Sequence, residues 1–366
     1  MGSLFTSELK EGMITAADTY STSGHLILPK DTVITKSVIN KLAANNVVFV
    51  DIVDVNEVTA DENAGTIDLS DLSTFSEAQK KILDTPAYKK FKRRYEKGID
   101  EMKDNLNDIV NKFAPINVDE MVKNTLNIVK AADSPLSVLT MISTLKEYDD
   151  STFNHSLNVA LICNIFAKWL GLDQEKTELL TSCGLLHDIG KLAIPDSIIK
   201  KPGKLTDEEY QIVKQHTKKG YEILKRNNVD IHIQYAALMH HEKCDGSGYP
   251  LGLKESQIDW CAQIVTIADI YEAMTANRVY REALSPFKVI TMFEEDGLRK
   301  YNPKYLLTFL EHVVNSYVNC KVKLSNGEEG DIVYINKVNL SKPLIKTKNS
   351  FIDLSKNSAV SIESVM

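Results

Sequence analysis

A mainly α protein, a helical bundle with small β-rich segments at its N- and C-termini, is predicted by three observations. Apolar residues between Glu77 and about Leu310 recur at helical spacing. The first 60 residues mix short apolar runs with turn signals. Beyond Val314 apolar and polar residues alternate, with Asn326-Gly327 as the turn between two such runs.

Taken in order, His25-Leu-Ile-Leu28 and Val47-Val-Phe-Val50 read as short strands, and Thr35 to Ala44 between them as a short helix. They suggest a small α/β module over residues 1–60. Residues 56–74 are acidic, small and turn-rich, which places a linker at 61–76. A helical connecting region is expected over 77–144, with Met121-Val122, Thr125-Leu126 and Ile128-Val129 on one face. A helical core domain follows over 145–312, marked by Leu157, Leu161, Ile165 and Leu170. Val318, Cys320, Val322 and Leu324, then Ile332, Val333 and Ile335, define a β-rich module over 313–366. Short β segments rarely hold a core alone, so the two terminal modules are expected to pack together. The sequence has no internal repeat.

Hydrophobic residues make up 43% and charged residues 25% of the 366, close to the globular average, which excludes wholesale disorder. No stretch approaches the roughly 20 apolar residues needed to span a bilayer, and residues 1–18 lack the pattern of a signal peptide. Five cysteines are an odd and sparse set that argues against a disulfide framework. These features point to a cytoplasmic protein with no membrane partner. Forty-three basic residues against 50 acidic give a net charge of -7, which disfavours duplex nucleic acid as a partner but permits a local basic pocket for a small anion. The basic run Lys89 to Arg94 lies in a helical pattern beside Tyr88, Phe91 and Tyr95 and reads as a solvated helix face.

Chemistry concentrates in the histidines. Of eight, His25, His232 and His312 read as ordinary surface or core residues, whereas His155, His187, His216, His240 and His241 stand beside other candidate ligands. Imidazole and carboxylate together suit divalent iron, manganese, nickel and zinc. In His187-Asp188-Ile189-Gly190-Lys191, adjacent His and Asp at a helix end can reach one point, and a carboxylate can bridge two cations. Two such cations about 3.5–4 Å apart polarise a phosphoryl group and generate hydroxide at neutral pH. Gln215-His216, His240-His241 and Asp269 follow at intervals of 29, 24 and 28 residues, and a bundle could aim them inward from separate helices.

With His187-Asp188 and Lys191, the string His240-His241-Glu242-Lys243-Cys244-Asp245-Gly246-Ser247-Gly248-Tyr249-Pro250 resembles the signature of the HD-GYP family, within the HD superfamily of metal-dependent phosphohydrolases. The segment around Asp269, Ala-Asp-Ile-Tyr-Glu-Ala-Met-Thr, is similar too, and the resemblance covers about residues 145–312. It implies an HD-type catalytic bundle and a phosphodiesterase that opens cyclic di-GMP to pGpG and often GMP. It also implies two divalent ions per chain, iron or manganese first, with nickel, zinc or magnesium admitted by the same ligands. One ion would be held by His155, His187, Asp188 and Asp269, the other by Asp188, His216, His240 and His241. A bridging water or hydroxide would attack phosphorus in line, with Asp188 and Lys191 as the catalytic side chains. Lys191, Tyr249, Arg278, Arg281 and Glu272 would contact substrate. Gly246, Gly248 and Pro250 would fix a loop that the family also links to protein partners. A homodimer and the regulatory input are left open.

Two positions depart from the family pattern. A glutamate that holds a third metal in some members is replaced by Ser151, and Asp149 and Asp150 point elsewhere on a helix, so two metals are expected. Glu272 stands where an aspartate is usual, with a longer reach. The alternatives are a cyclic dinucleotide sensor with slow or no turnover, and a phosphodiesterase for cyclic GMP-AMP or pGpG.

Overall fold

The computed structural model describes residues 2–5, 9–10, 13–20, 26–30, 32–44, 49–52, 82–111, 114–132, 134–145, 152–201, 203–276, 283–357 and 359–366. The chain divides into two units, residues 1–67 and 68–366.

The first unit contains β1 (Gly2–Phe5), β2 (Thr19–Tyr20), β3 (Leu26–Leu28), α1 (Lys36–Ala44) and β4 (Phe49–Ile52). β1 pairs with β4 and β2 with β3, both antiparallel. Leu9, Ile27, Leu28, Ile34, Leu42 and Val50 form its core. The helix and two of the strands match the sequence reading, whereas β1 and β2 carry no alternation long enough to announce them. His25, Val47, Val48 and the expected linker at 56–74 lie outside the described residues.

The second unit is a succession of helices: α2 (Pro86–Asn111), α3 (Val118–Val129), α4 (Pro135–Thr144), α5 (Thr152–Trp169), α6 (Gln174–Leu186), α7 (Asp207–Lys214), α8 (His216–Arg226), α9 (Ile231–Met239), α10 (Trp260–Thr275), α11 (Pro286–Met292) and α12 (Pro303–Asn315). Tyr88, Phe91 and Tyr95 of α2 are buried while Lys89, Lys90, Lys92 and Arg93 are exposed, so the basic run is a solvated face. α5 is buried almost all round from Asn154 to Ala167, the mark of a central helix. The helices flanking the site start on strong caps. Asp173, Asp230 and Asp259 accept the backbone N–H of Lys176, His232 and Cys261, and Thr206 and Glu209 cap α7 reciprocally; each cap contributes about 1 kcal/mol.

The chain closes in a five-stranded antiparallel sheet of β5 (Lys321–Leu324), β6 (Glu329–Tyr334), β7 (Leu344–Thr347), β8 (Phe351–Asp353) and β9 (Ile362–Val365), in the order β8-β7-β6-β5-β9. Val322, Leu324, Ile332 and Ile345 turn inward and share one core with helix residues such as Phe309 and Val313. The sheet starts later than the alternation suggests. α12 runs to Asn315, and Val318 and Cys320 lie in the turn that follows, where Asn319 adopts φ +66°. Among the described residues no helix is long and apolar enough to cross a membrane.

Candidate metal centre

The site is assembled from helix ends. His155 lies in the first turn of α5, His187 caps the C-terminus of α6, and Asp188 follows it. His216 opens α8, His240 caps the C-terminus of α9 with His241 next, and Asp269 lies midway along α10. Ligand atoms of His155, His187 and Asp269 lie within 4.8 Å of one another, as do those of His216, His240 and His241.

Asp188 stands between the two groups and is 1% exposed. Its Oδ2 is 3.4 Å from Nε2 of both His155 and His187. Its Oδ1 is 3.4 Å from His216 Nε2 and 3.5 Å from His240 Nε2. Lys191 Nζ approaches Oδ2 to 2.5 Å as an ion pair, yet neither carboxylate oxygen accepts a hydrogen bond of normal geometry. His187 Nε2 is also buried without a partner. Buried polar atoms are normally satisfied, so Asp188 Oδ1 and His187 Nε2, which have no hydrogen-bond partner, and Asp188 Oδ2, which has only the Lys191 ammonium, are together suited to a cation.

The histidines are oriented to supply lone pairs. His187 Nδ1 lies 2.8 Å from Gly184 O, His216 Nδ1 2.7 Å from Val213 O, and His240 Nδ1 3.0 Å from Ala236 O and Ala237 O. A carbonyl only accepts, so Nδ1 donates and Nε2 is left with its lone pair, as metal-binding imidazoles require. His216 and His240 then bring two such nitrogens to 3.2 Å, a contact that no proton on either neutral ring explains. Burial lowers the pKa of His216 to about 3 and depresses His187 and His241 as well, which keeps the rings neutral. Burial also opposes charge on His155, but Glu272 and Asp269 lift it to about 10; carboxylates that favour a proton there equally favour a metal ion. Burial would raise Asp188, but the Lys191 ammonium, with the His187 ring beside it, holds it well below the usual carboxylate range. Asp269 is likewise held low against its burial, by His155. Neutral imidazoles at His187, His216 and His241 beside ionised Asp188 and Asp269 fit divalent ions.

Glu272 departs from the expected substrate contact. Its Oε2 is 2.6 Å from His155 Nδ1 and its Oε1 accepts from Asn158 Nδ2 at 2.9 Å, so both oxygens are engaged by protein groups. The longer side chain reaches the back of a ligand ring instead. Tyr249 stacks on His241 with ring centres 4.7 Å apart, and burial pushes its hydroxyl pKa up. Arg278, Arg281, Asp149, Asp150 and Ser151 lie outside the described residues. His312 stacks on Trp169. His232 pairs at 2.7 Å with Asp259, and with Cys261 they form a partly buried cluster separate from the seven residues above.

Two residues escaped the sequence reading. Glu242, 2% exposed, accepts backbone N–H bonds from Leu251, Gly252 and Leu253 and so ties down the exit of the Tyr249 loop. Its donors lie 9–11 residues on, a spacing no helix or strand pattern flags. At Gly248 a Cβ would come within 2.4 Å of Glu242 Cα, so the loop folds back too closely for any side chain. Gly190 abuts α8, where a Cβ would stand 1.9 Å from His216 O; the motif contains this glycine, but its packing partner lies across the fold.

Residues 139–305 match the family described as HD domain. Over 214 residues the chain is 34% identical to the cyclic di-GMP phosphodiesterase PA4108 of Pseudomonas aeruginosa, covering 58% of this chain and 51% of that protein. It is 38% identical over 183 residues to a cyclic di-GMP phosphodiesterase of Thermotoga maritima, covering 49% and 50%. A 3'3'-cGAMP-specific phosphodiesterase 2 of Vibrio cholerae is 35% identical over 178 residues, covering 48% of this chain and 34% of that protein. The chain thus spans about half the length, or less, of these curated relatives. Among solved structures, Bd1817, an HDG"Y"P protein from Bdellovibrio bacteriovorus, superposes with a TM-score of 0.51 at 17% identity, over 85% of this chain and 99% of that one, a likeness of fold alone. Residues 139–305 thus match an HD domain, and the curated relatives that align with this region carry the names of cyclic dinucleotide phosphodiesterases.

Proposed function

We propose that the chain is a metal-dependent phosphodiesterase that hydrolyses cyclic dinucleotides, cyclic di-GMP first among them, to pGpG and GMP. The observation that carries this reading is the Asp188 carboxylate, each of whose oxygens faces a different pair of histidines at 3.4–3.5 Å. His155, His187 and Asp269 would hold one divalent ion, His216, His240 and His241 the other, and Asp188 would span both. Bound there, a pair of ions would polarise a phosphate oxygen and lower the pKa of an attacking water.

The remaining side chains position and neutralise. Lys191, 24% exposed and paired with Asp188, would extend its ammonium to a phosphate oxygen and offset charge in the transition state. Glu272 orients His155 from behind, the arrangement that raises a ligand's basicity. Arg278 and Arg281 would hold phosphates by two-pronged hydrogen bonds. Cyclic GMP-AMP is the second reading, supported by similarity to the Vibrio cholerae enzymes named for that substrate.

Elemental analysis of anaerobically purified protein, with chromatography of its products from cyclic di-GMP and cyclic GMP-AMP, tests the proposal. About two iron or manganese ions per chain with pGpG or GMP appearing is the expected result. Bound metal with both nucleotides intact, even after reloading with iron or manganese, would turn the assignment to a sensor.

A further inference from the structure

Beside the metal ligands runs a ladder of rings that ends at the surface. His216 meets His241 edge to face at 5.1 Å, His241 stacks on Tyr249 at 4.7 Å, and Tyr249 meets Tyr210 edge to face at 6.5 Å. Tyr210 is 45% exposed. One turn further along α7, Lys214 places its ammonium 5.0 Å from the centre of the Tyr210 ring and 5.5 Å from that of Tyr249. Positions i and i+4 share a helix face, so ring and ammonium form one unit.

We propose that Tyr210 and Lys214 form a base-recognition shelf: one purine of the dinucleotide takes the place of the Lys214 ammonium over the exposed ring, and the displaced ammonium, on its flexible stem, donates to the acceptor edge of guanine. This rests on the phosphodiesterase reading and adds to it the choice of base. Every base offers a π face, so stacking on Tyr210 supplies affinity whatever the purine. Selection comes from Lys214. Guanine presents N7 and O6, both acceptors, whereas adenine presents N7 beside an amino group that donates. An ammonium has donors only, so it satisfies the guanine edge and opposes the adenine amino group. The shelf therefore favours dinucleotides that contain guanine over cyclic di-AMP.

Steady-state kinetics on the metal-loaded protein tests the shelf. Tyr210→Ala is expected to raise KM for cyclic di-GMP roughly ten-fold, with kcat and metal content near wild type, and Tyr210→Trp to restore KM where Tyr210→Leu does not. Lys214→Met is expected to shrink the kcat/KM preference for cyclic di-GMP over cyclic di-AMP by roughly ten-fold. An unchanged KM in Tyr210→Ala, or kcat and metal content falling together, overturns the shelf and leaves Tyr210 as mere support for Tyr249. If the wild type binds metal but cleaves no dinucleotide, the phosphodiesterase reading fails by itself. Calorimetric titration with cyclic di-GMP then decides the shelf separately: about ten-fold weaker binding by Tyr210→Ala upholds it, and equal binding removes it.

Discussion

Replacing Gly190 by Ala puts a methyl group where the backbone of α8 already stands. Its Cβ would lie 1.9 Å from His216 O, 2.5 Å from Gly220 N and 2.9 Å from His216 C. All three obstacles are main-chain atoms, so no rotamer change relieves them, and ordinary contact at 3.4 Å requires the start of α8 to retreat by about 1.5 Å. His216 is the first residue of that helix, and Asp188 lies two residues before the substitution. The retreat would stretch the present 3.4 Å between Asp188 Oδ1 and His216 Nε2 to as much as about 5 Å. Two ligand atoms on one ion, each bonded at about 2.1 Å, can be no more than about 4.2 Å apart. Gly190→Ala should therefore lose the ion held by His216, His240 and His241 and retain the other, so metal content falls to about one per chain. Turnover should drop by at least about 100-fold, the scale of a 1 Å misplacement at a reacting centre. Overpacking should also cost about 1–3 kcal/mol of stability. Elemental analysis, product chromatography and denaturant titration read the three effects. Full metal content and normal turnover would refute the reasoning.

Three further outcomes follow from the same geometry. Asp188→Ala removes both oxygens that face the histidine groups, so metal content and hydrolysis should vanish together; normal turnover would sink the two-metal assignment. Glu272→Gln keeps the size but removes the charge behind His155, and metal affinity should weaken about 10–100-fold by chelator competition, with an unchanged affinity counting against the positioning role. Glu242→Gln leaves one acceptor oxygen for three N–H donors and turns an amide N–H₂ toward them. Local stability should fall by about 1.5–3 kcal/mol, seen as faster hydrogen exchange at Leu251, Gly252 and Leu253 with a raised KM, and unaltered exchange would show that the loop needs no such anchor.

The helical body was legible because α3 carries its buried residues at a period that sequence displays directly, Met121, Val122, Thr125 and Ile128, and because α5 is apolar along most of its length and buried almost throughout. Short strands such as β1 and β2 give too few residues for any alternation to register. The chemistry of the site was legible in residue types and motif spacing, since the helix ends carrying His187, His216 and His240 are also where the motifs stand out. What spacing hides is contact across the fold. Glu272 lies 117 residues from the ring it touches, so an aspartate-to-glutamate change read as altered reach toward substrate is compatible in sequence with either direction. Gly190 meeting α8, and Tyr210 leaning on Tyr249, are likewise pairings that only folding brings together.

The Nδ1 contacts have a consequence for how the protein breathes. Gly184, Val213 and Ala237 lie in the last turns of α6, α7 and α9, where carbonyls lack the N–H four residues on that a continuing helix would supply. The rings of His187, His216 and His240 supply those partners. A metal ion on the far nitrogens would therefore also clamp three helix termini. Its departure would let them fray in concert, so occupancy of the centre should be read in the opening rates of backbone amides well away from any ligand.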